Sequence, residues 1–183
     1  MSKLRPTLWR TCRVLASETR LQLLWLLFKN EGLCVAELAA RTGISEQNAS
    51  TQLRALNARG LITPRRKGLR VFYYPEPNTE VEHAQTLLEA LRDCCESNMR
   101  FLAIIRQATA FTHARRILIM RALQEGPVSA GDLIEKTGIP SPSLTHHLKK
   151  LEARGFVRRG YGTYYQNTPG NSFGRVLKKM ACA

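Results

Sequence analysis

Residues 37–62 read ELAARTGISEQNASTQLRALNARGLI, and residues 132–157 read DLIEKTGIPSPSLTHHLKKLEARGFV. In each stretch a short helical run stops at a glycine, Gly43 or Gly138, where the missing Cβ permits a left-handed turn. A second run begins within about three residues, with Ser45 a good N-cap in the first stretch, and closes at Gly60 or Gly155. A helix, a three-residue turn containing glycine and a second helix make a helix-turn-helix. The chain carries two of them.

The two stretches are copies of one unit. Shifted by 95 positions, residues 20–60 lie on 115–155 without a gap, and 11 of the 41 pairs are identical. Unrelated segments would share about two or three at average usage. The identities are Arg20/Arg115, Leu23/Leu118, Leu38/Leu133, Thr42/Thr137, Gly43/Gly138, Ile44/Ile139, Leu53/Leu148, Leu56/Leu151, Ala58/Ala153, Arg59/Arg154 and Gly60/Gly155.

Working outward, each unit gains the same flanks. A leading helix is predicted at about 4–16 and 100–111, where Phe101, Ile104, Ile105 and Ala108 form a helical stripe. A second helix, about 18–29 and 113–124, is apolar nearly all round, as a central buried helix should be. The third helix of each unit is predicted at about 34–42 and 129–137. After the fourth helix come two β-prone runs, Leu61–Arg66 and Leu69–Tyr74, joined at Lys67-Gly68. The second copy has Phe156–Arg159 and Thr163–Gln166 around Gly160-Tyr161-Gly162. Each hairpin is the wing of its unit. A long helix, Glu80 to Asn98, joins the copies through a stripe of Ala84, Leu88, Leu91 and Cys95, and a tail helix at about Ser172 to Met180 takes the same place after copy two. The predicted fold is mainly α with small β-hairpin wings. Two tandem winged helix-turn-helix domains (1–79 and 100–183, the second with the C-terminal helix) flank a linking helix at 80–99.

Charge marks the partner. The 183 residues carry 28 Lys and Arg against 14 Asp and Glu, a net +14. Residues 1–79 hold +8, residues 80–111 hold −2 and residues 112–183 hold +8. Two basic modules around an acidic connector fit a polyanion better than a general solubility surplus does. The longest apolar run, Leu23 to Phe28, falls far short of the roughly 20 residues that span a bilayer. With no export signal and five cysteines lacking CxxC spacing, the expected location is cytoplasmic, at the nucleoid, with reduced thiols and no membrane contact.

The fourth helix of each copy has the split that a major-groove reader needs. In copy one Ala49, Leu53 and Leu56 face inward, while Gln47, Asn48, Ser50, Thr51 and Arg54 face out. Gln and Asn suit adenine edges and Arg suits guanine. The matching set in copy two is Ser141, Ser143, Thr145, His146 and Lys149. Alone, such a face reads as a solvated one; set after a turn glycine, before a basic wing and repeated, it reads as DNA recognition. The first wing adds Arg65, Arg66, Lys67 and Arg70, with no acid between Thr63 and Phe72, and the second adds Arg158 and Arg159. Cations on a hairpin suit phosphates or the minor groove, although charged edge hairpins also occur merely to stay soluble.

These phrases resemble the ArsR/SmtB-like winged-helix transcriptional regulators. SETRLQLLWLL (17–27) is similar to the family's second helix, and Thr145-His146-His147-Leu148 to its recognition helix. The resemblance implies a winged-helix fold and a transcriptional regulator, a repressor, that binds double-stranded DNA. Family members usually carry one such unit per chain and pair as homodimers. This chain holds both halves, which implies a monomeric pseudo-dimer, or a homodimer through the linking and C-terminal helices. The family's metal-sensing Cys-Val-Cys is broken here: Cys34 is kept, but Ala36 stands at the second thiolate position and copy two offers Ser129 and Gly131.

Cys94-Cys95 is the other candidate sensor. Adjacent helical residues point about 100° apart, so a single ion needs a third ligand, which Cys12 on the leading helix could supply. Otherwise these cysteines are small core hydrophobes. His146-His147 as a metal pair meets the same geometric objection. The reading therefore calls for no cofactor and no metal. Nor does it call for catalysis: there is no Gly-rich phosphate loop, HExxH, GxSxG or nucleophile–base pair. Two other functions fit tandem winged helices, a protein-binding scaffold and a replication initiator. The first needs no cationic faces, and the family-like phrases weigh against the second. Because the two reading helices differ at nearly every outward position, an asymmetric site with half-sites about one helical turn apart is expected.

Overall fold

A computed structural model describes residues 7–183. The first copy runs α1 (Leu8–Leu15), α2 (Glu18–Phe28), β1 (Leu33–Cys34), α3 (Val35–Thr42), α4 (Glu46–Asn57), β2 (Thr63–Lys67) and β3 (Arg70–Tyr74), followed by α5 (Ala84–Glu96). The second repeats this as α6 (Phe101–Ala108, with a 3-10 turn at Thr109–Phe111), α7 (Ala114–Ala122), β4 (Val128–Ser129), α8 (Ala130–Thr137), α9 (Ser141–Ala153), β5 (Val157–Gly160) and β6 (Thr163–Gln166), then α10 (Ser172–Cys182). The start expected for the leading helix at residues 4–6 lies outside the described residues.

Local chemistry sets the helix ends. The Ser45 hydroxyl accepts from the Asn48 amide at 3.2 Å, capping α4 as its sequence predicts. Gly43 and Gly138 end α3 and α8 at φ of 68° and 65°. Copy two replaces the serine cap by Pro140, and a proline in the first turn of α9 gives up only an amide that has no partner there. Upstream, α3 opens with the Glu37 carboxylate accepting from the Cys34 amide at 2.8 Å.

Each wing is a three-stranded sheet, ordered β1-β3-β2 and β4-β6-β5, rather than the two-stranded hairpin that the sequence suggests. The third strand in each is two residues long. Leu33 pairs with Tyr73 and Cys34 with Phe72, and Val128 and Ser129 pair with Tyr164 and Thr163. This short ladder fastens the start of the third helix to the wing. The first wing's loop is Gly68-Leu69, one residue later than expected, with Lys67 opposite Arg70.

The linking helix begins at Ala84, not Glu80. Residues ahead of it turn: Val81 donates its amide to the Asn78 carbonyl, and His83 adopts φ of 65°. Val81 is buried and lies so close to Gly60 that a Cβ there would sit 2.9 Å from Val81 Cβ. Glycine at 60 thus lets the end of α4 dock on the entry to α5.

The copies share one core. Leu8, Cys12 and Leu15 of α1, Leu91 and Cys94 of α5, Ile104 and Ala108 of α6, and Phe173, Leu177 and Ala181 of α10 belong to a single buried cluster. Like packs on like: α1 lies against α6, and α5 along α10. Trp25 meets Phe101 across the copies at 5.3 Å between centroids, and Arg13 Nε donates to the Thr112 carbonyl at 3.3 Å.

The second helices also differ from expectation. In α2, Leu21, Leu23, Leu24 and Leu27 have no exposure, but α7 is not apolar all round. Leu118 is 45% exposed, and Arg116 is buried, donating to the Ala110 and Thr109 carbonyls and to the Thr112 hydroxyl. Those oxygens satisfy a charge that could not otherwise be buried.

Candidate nucleic-acid interface

The apolar stripe of α4 fixes its outward face. Ala49, Leu53 and Leu56 are fully buried, which turns Gln47, Asn48, Thr51 and Arg54 to solvent and leaves Ser50 half-buried. In α9 Leu144, Leu148 and Leu151 are buried, and Ser141, Thr145, His146 and Lys149 are exposed, with Ser143 half-buried. Of the residues expected from sequence, Ser50 and Ser143 lie at the flank of their helices and the others are exposed.

That surface is preorganised. The Arg54 guanidinium reaches the Thr51 hydroxyl at 3.3 Å. Gln52 Nε2 donates to Asn48 Oδ1 at 2.8 Å, and Arg20 Nη1 donates to Gln52 Oε1 at 2.7 Å. Asn48 Oδ1 is thus engaged within the helix, which leaves its amide hydrogens as the group free to donate. In copy two Arg115 Nη1 donates to the Ser143 hydroxyl at 2.9 Å. One arginine at the start of each second helix therefore steadies the reading helix of its own copy. Sequence reasoning left out Arg20 and Arg115, although their identity across the repeat marked them.

His147 is a third residue that sequence reasoning did not place. It takes the place of Gln52, but it is buried against His113, with ring centroids 4.7 Å apart. His146 points to solvent, so the two adjacent histidines do not form a pair on one face. Burial, then the positive surroundings of His113 and Arg116, push His147 down to about 4.

The first wing is less uniformly cationic than its sequence suggests. Arg65, Arg66, Lys67 and Arg70 are all exposed, but Arg65 forms a 2.5 Å ion pair with Glu76, beyond the acid-free stretch. Strand pairing puts Arg65, Lys67 and Arg70 on one face and Arg66 on the other. Lys67 Nζ lies over the Phe72 and Tyr74 rings. In the second wing Arg158 and Arg159 are exposed, with Arg159 over Tyr164.

The cysteines do not gather. Among the described residues no group of three or more His, Cys, Asp or Glu side chains is placed to hold a metal ion. Cys12, expected as a third ligand for Cys94 and Cys95, is fully enclosed, and the cation near it is Arg116. Burial raises the Cys12 and Cys95 thiols and lifts Cys94 to about 11, so all three stay protonated at neutral pH. Among the described residues no helix is long and apolar enough to cross a membrane.

The profile of the bacterial regulatory protein, arsR family, matches residues 17–63 and again 113–159. The chain is 37% identical over 86 residues to the transcriptional activator HlyU of Vibrio cholerae, covering 47% of this chain and 76% of HlyU. It is 34% identical over 94 residues to the arsenical resistance operon repressor of Escherichia coli, covering 51% of this chain and 78% of that one. A Halobacterium salinarum protein, ArsR2, provisionally described as an arsenical resistance operon repressor, is 36% identical over 80 residues, 43% of this chain and 63% of its own length. Among solved structures, the homodimeric winged helix-turn-helix DNA-binding domain Mb0332 of Mycobacterium bovis aligns over 50% of this chain and 80% of its own, with 30% identity and a TM-score of 0.39.

Proposed function

The chain belongs to the arsR family of bacterial regulatory proteins, and we propose that it is a DNA-binding transcriptional regulator that works as a single-chain pseudo-dimer. The observation that carries this reading is the pairing of α1 with α6 and α5 with α10 in one core. In this reading α4 and α9, each with a polar face turned to solvent, serve as two readers on one frame. The cations of both wings and the net +14 supply the phosphate attraction that any duplex binder needs. The simplest mode of action is repression by occupancy of its site; two of its relatives are named as repressors and one as an activator.

Each reader addresses the duplex with different chemistry. Copy one offers Gln47, Asn48 and Arg54, side chains suited to adenine and guanine edges. Copy two offers Ser141, Thr145, His146 and Lys149, which suit mixed base and phosphate contacts. A homodimer reads a palindrome because its halves are identical; these halves are not.

Selection from a random duplex library, followed by light scattering of the selected complex, tests the proposal. The expected result is an asymmetric sequence bound by one 20.7 kDa chain. A strict palindrome occupied by two chains would overturn the single-chain reading. Failure to enrich any sequence, with binding no stronger than to arbitrary duplex, would overturn specific recognition.

A further inference from the structure

A cleft of about 350 Å³ opens at the seam between the copies, among α2, the end of α3 and the first residue of α6. Its lining includes the half-buried Trp25, Leu26 and Phe101 and the exposed cations Lys29 and Arg41. The Trp25 ring meets Phe101 at 5.3 Å and Phe28 at 5.8 Å between centroids. Those contacts hold the indole in place and leave part of it bare to the cleft.

The two cations have no carboxylate to answer them. Arg41 Nη1 donates to the neutral Asn30 carbonyl at 2.9 Å, which aims the guanidinium without cancelling its charge. Glu37, one turn earlier on α3, feels that charge, but its carboxylate accepts from the Cys34 amide instead. Among the described residues neither Lys29 nor Arg41 forms an ion pair, and no acid lines the cleft.

The fold does not ask for this set. In the register of the repeat Trp25 matches Met120, Lys29 matches Gln124 and Arg41 matches Lys136. Copy two therefore builds the same corner of α7 and α8 with neither the ring nor the first of the two cations, so packing requires neither. A planar ring carrying a carboxylate suits both. Aromatic rings pack edge-to-face or offset on one another, and an arginine takes a carboxylate through two parallel N–H bonds. The volume stands at the small end for ligand pockets, which fits a molecule of one or two rings. A bare phosphate would leave the rings unused, and an apolar molecule would leave the cations unused.

We propose that this cleft binds a small aromatic carboxylate, its ring against Trp25 and Phe101 and its carboxylate on Lys29 and Arg41. Arg41 stands two residues before Gly43, the turn that leads into α4, and Phe101 opens the first helix of the other copy. A bound acid thus ties the end of α3 to the neighbouring copy, which makes the cleft a place for an effector. That regulatory part rests on the reading of the chain as a duplex binder; the binding itself does not. The probe is phenylacetate, titrated into the full chain by calorimetry. A parallel fluorescence titration uses Trp9→Phe, which leaves Trp25 as the remaining one of the chain's two tryptophans. Saturable binding with a change in Trp25 emission is expected. Cyclohexylacetate and 2-phenylethanol, lacking the aromatic ring and the charge respectively, should each bind about tenfold more weakly, and 2-phenylethylamine should not bind. Lys29→Gln, which installs the residue of copy two, and Arg41→Gln should each weaken phenylacetate about tenfold. Trp25→Met should abolish its binding. Lys29→Gln, at an exposed position, should melt with the parent.

A ligand of about ten heavy atoms binds in the millimolar range or better at ordinary efficiency, so no saturation by about 10 mM would overturn the proposal. Equal binding of the acid and the alcohol would do the same. So would Lys29 and Arg41 variants that keep phenylacetate but lose duplex affinity, which would give both cations to phosphates. Saturable binding that leaves affinity for the selected duplex within about twofold would keep the site and remove its regulatory role. Failure of the parent to bind any duplex would remove the functional reading, while the phenylacetate titrations would still decide the site.

Discussion

The imidazole of His147 rests on that of His113, 4.7 Å between centroids, at the position where the first copy holds Gln52 under the Arg20 guanidinium. Two copies of one unit thus lock the reading helix to the second helix by different chemistry. In the first, a charged donor meets a neutral acceptor. In the second, two rings pack at a tilt of 43° in addition to the Arg115–Ser143 hydrogen bond, and His147 Nδ1 is buried with no hydrogen-bond partner among the described residues.

This makes the second copy acid-sensitive. His147 is held at about 4 by burial first, then by His113, Arg116, His146 and Arg115, below the ordinary 6.5. His113 is depressed as well, by burial first, then by Arg116 and Arg115, with Arg13 and Lys150 also contributing. An unfolded chain takes up a proton near 6.5 that the folded chain refuses until about 4, so protonation favours unfolding. The contribution is complete above pH 6.5 and is lost as pH falls from there toward 4. Thermal melts across that window should show a steeper decline for the parent than for His147→Gln, which restores the residue of the first copy. Parallel curves would mean that His147 does not titrate against folding.

Arg20 should act as a positioning residue. It donates to Gln52 Oε1 and to the carbonyls of Val14 and Arg13, tying α1, α2 and α4 together. Charged hydrogen bonds of this kind are worth roughly 1.5–3 kcal/mol. Arg20→Ala is expected to weaken specific binding more than non-specific binding, because it loosens the reader without removing a base contact. Equal losses on both would mark it as a plain phosphate contact.

Arg54 and Arg66 should separate base reading from phosphate contact. Arg54→Ala is expected to cost about 1–3 kcal/mol and to relax preference at one base pair. Arg66→Ala should weaken all sequences alike and lower the slope of log affinity against log salt by about 0.9. Titrations at three salt concentrations on matched and mismatched duplexes distinguish the two. Identical behaviour of the variants would put both side chains on the backbone.

The shared core predicts a single melting transition. Leu177 is fully buried in α10, which packs on α5 and α7. Leu177→Ala should cost about 2–5 kcal/mol, and both copies should lose structure together. Calorimetry showing two separate transitions would contradict a common core.

Much of this was legible in the sequence, and the exceptions share a cause. Gly43, Gly138 and the repeated leucines carry strong local signals, so the helices and their duplication follow from spacing alone. Strands β1 and β4 are two residues long, too short for any period to register. The entry to α5 depends on Val81 meeting Gly60, a contact across 21 positions that no local pattern encodes. On the interface, the outward faces of α4 and α9 followed from their apolar stripes. The pairing of Arg65 with Glu76 did not, because the acid stands on the far strand's exit, 11 residues away. The burial of Arg116 was equally hidden, since its partners are carbonyls that every residue possesses.

The packing of α1 on α6 and α5 on α10 has one more consequence. A symmetric homodimer looks the same when turned end for end on its site, so it cannot tell upstream from downstream. If one chain fills one site, as proposed above, its two unlike helices α4 and α9 would be held to one frame in a fixed order. That molecule would sit on DNA with a front and a back, and would show a different surface to a gene on its left than to one on its right.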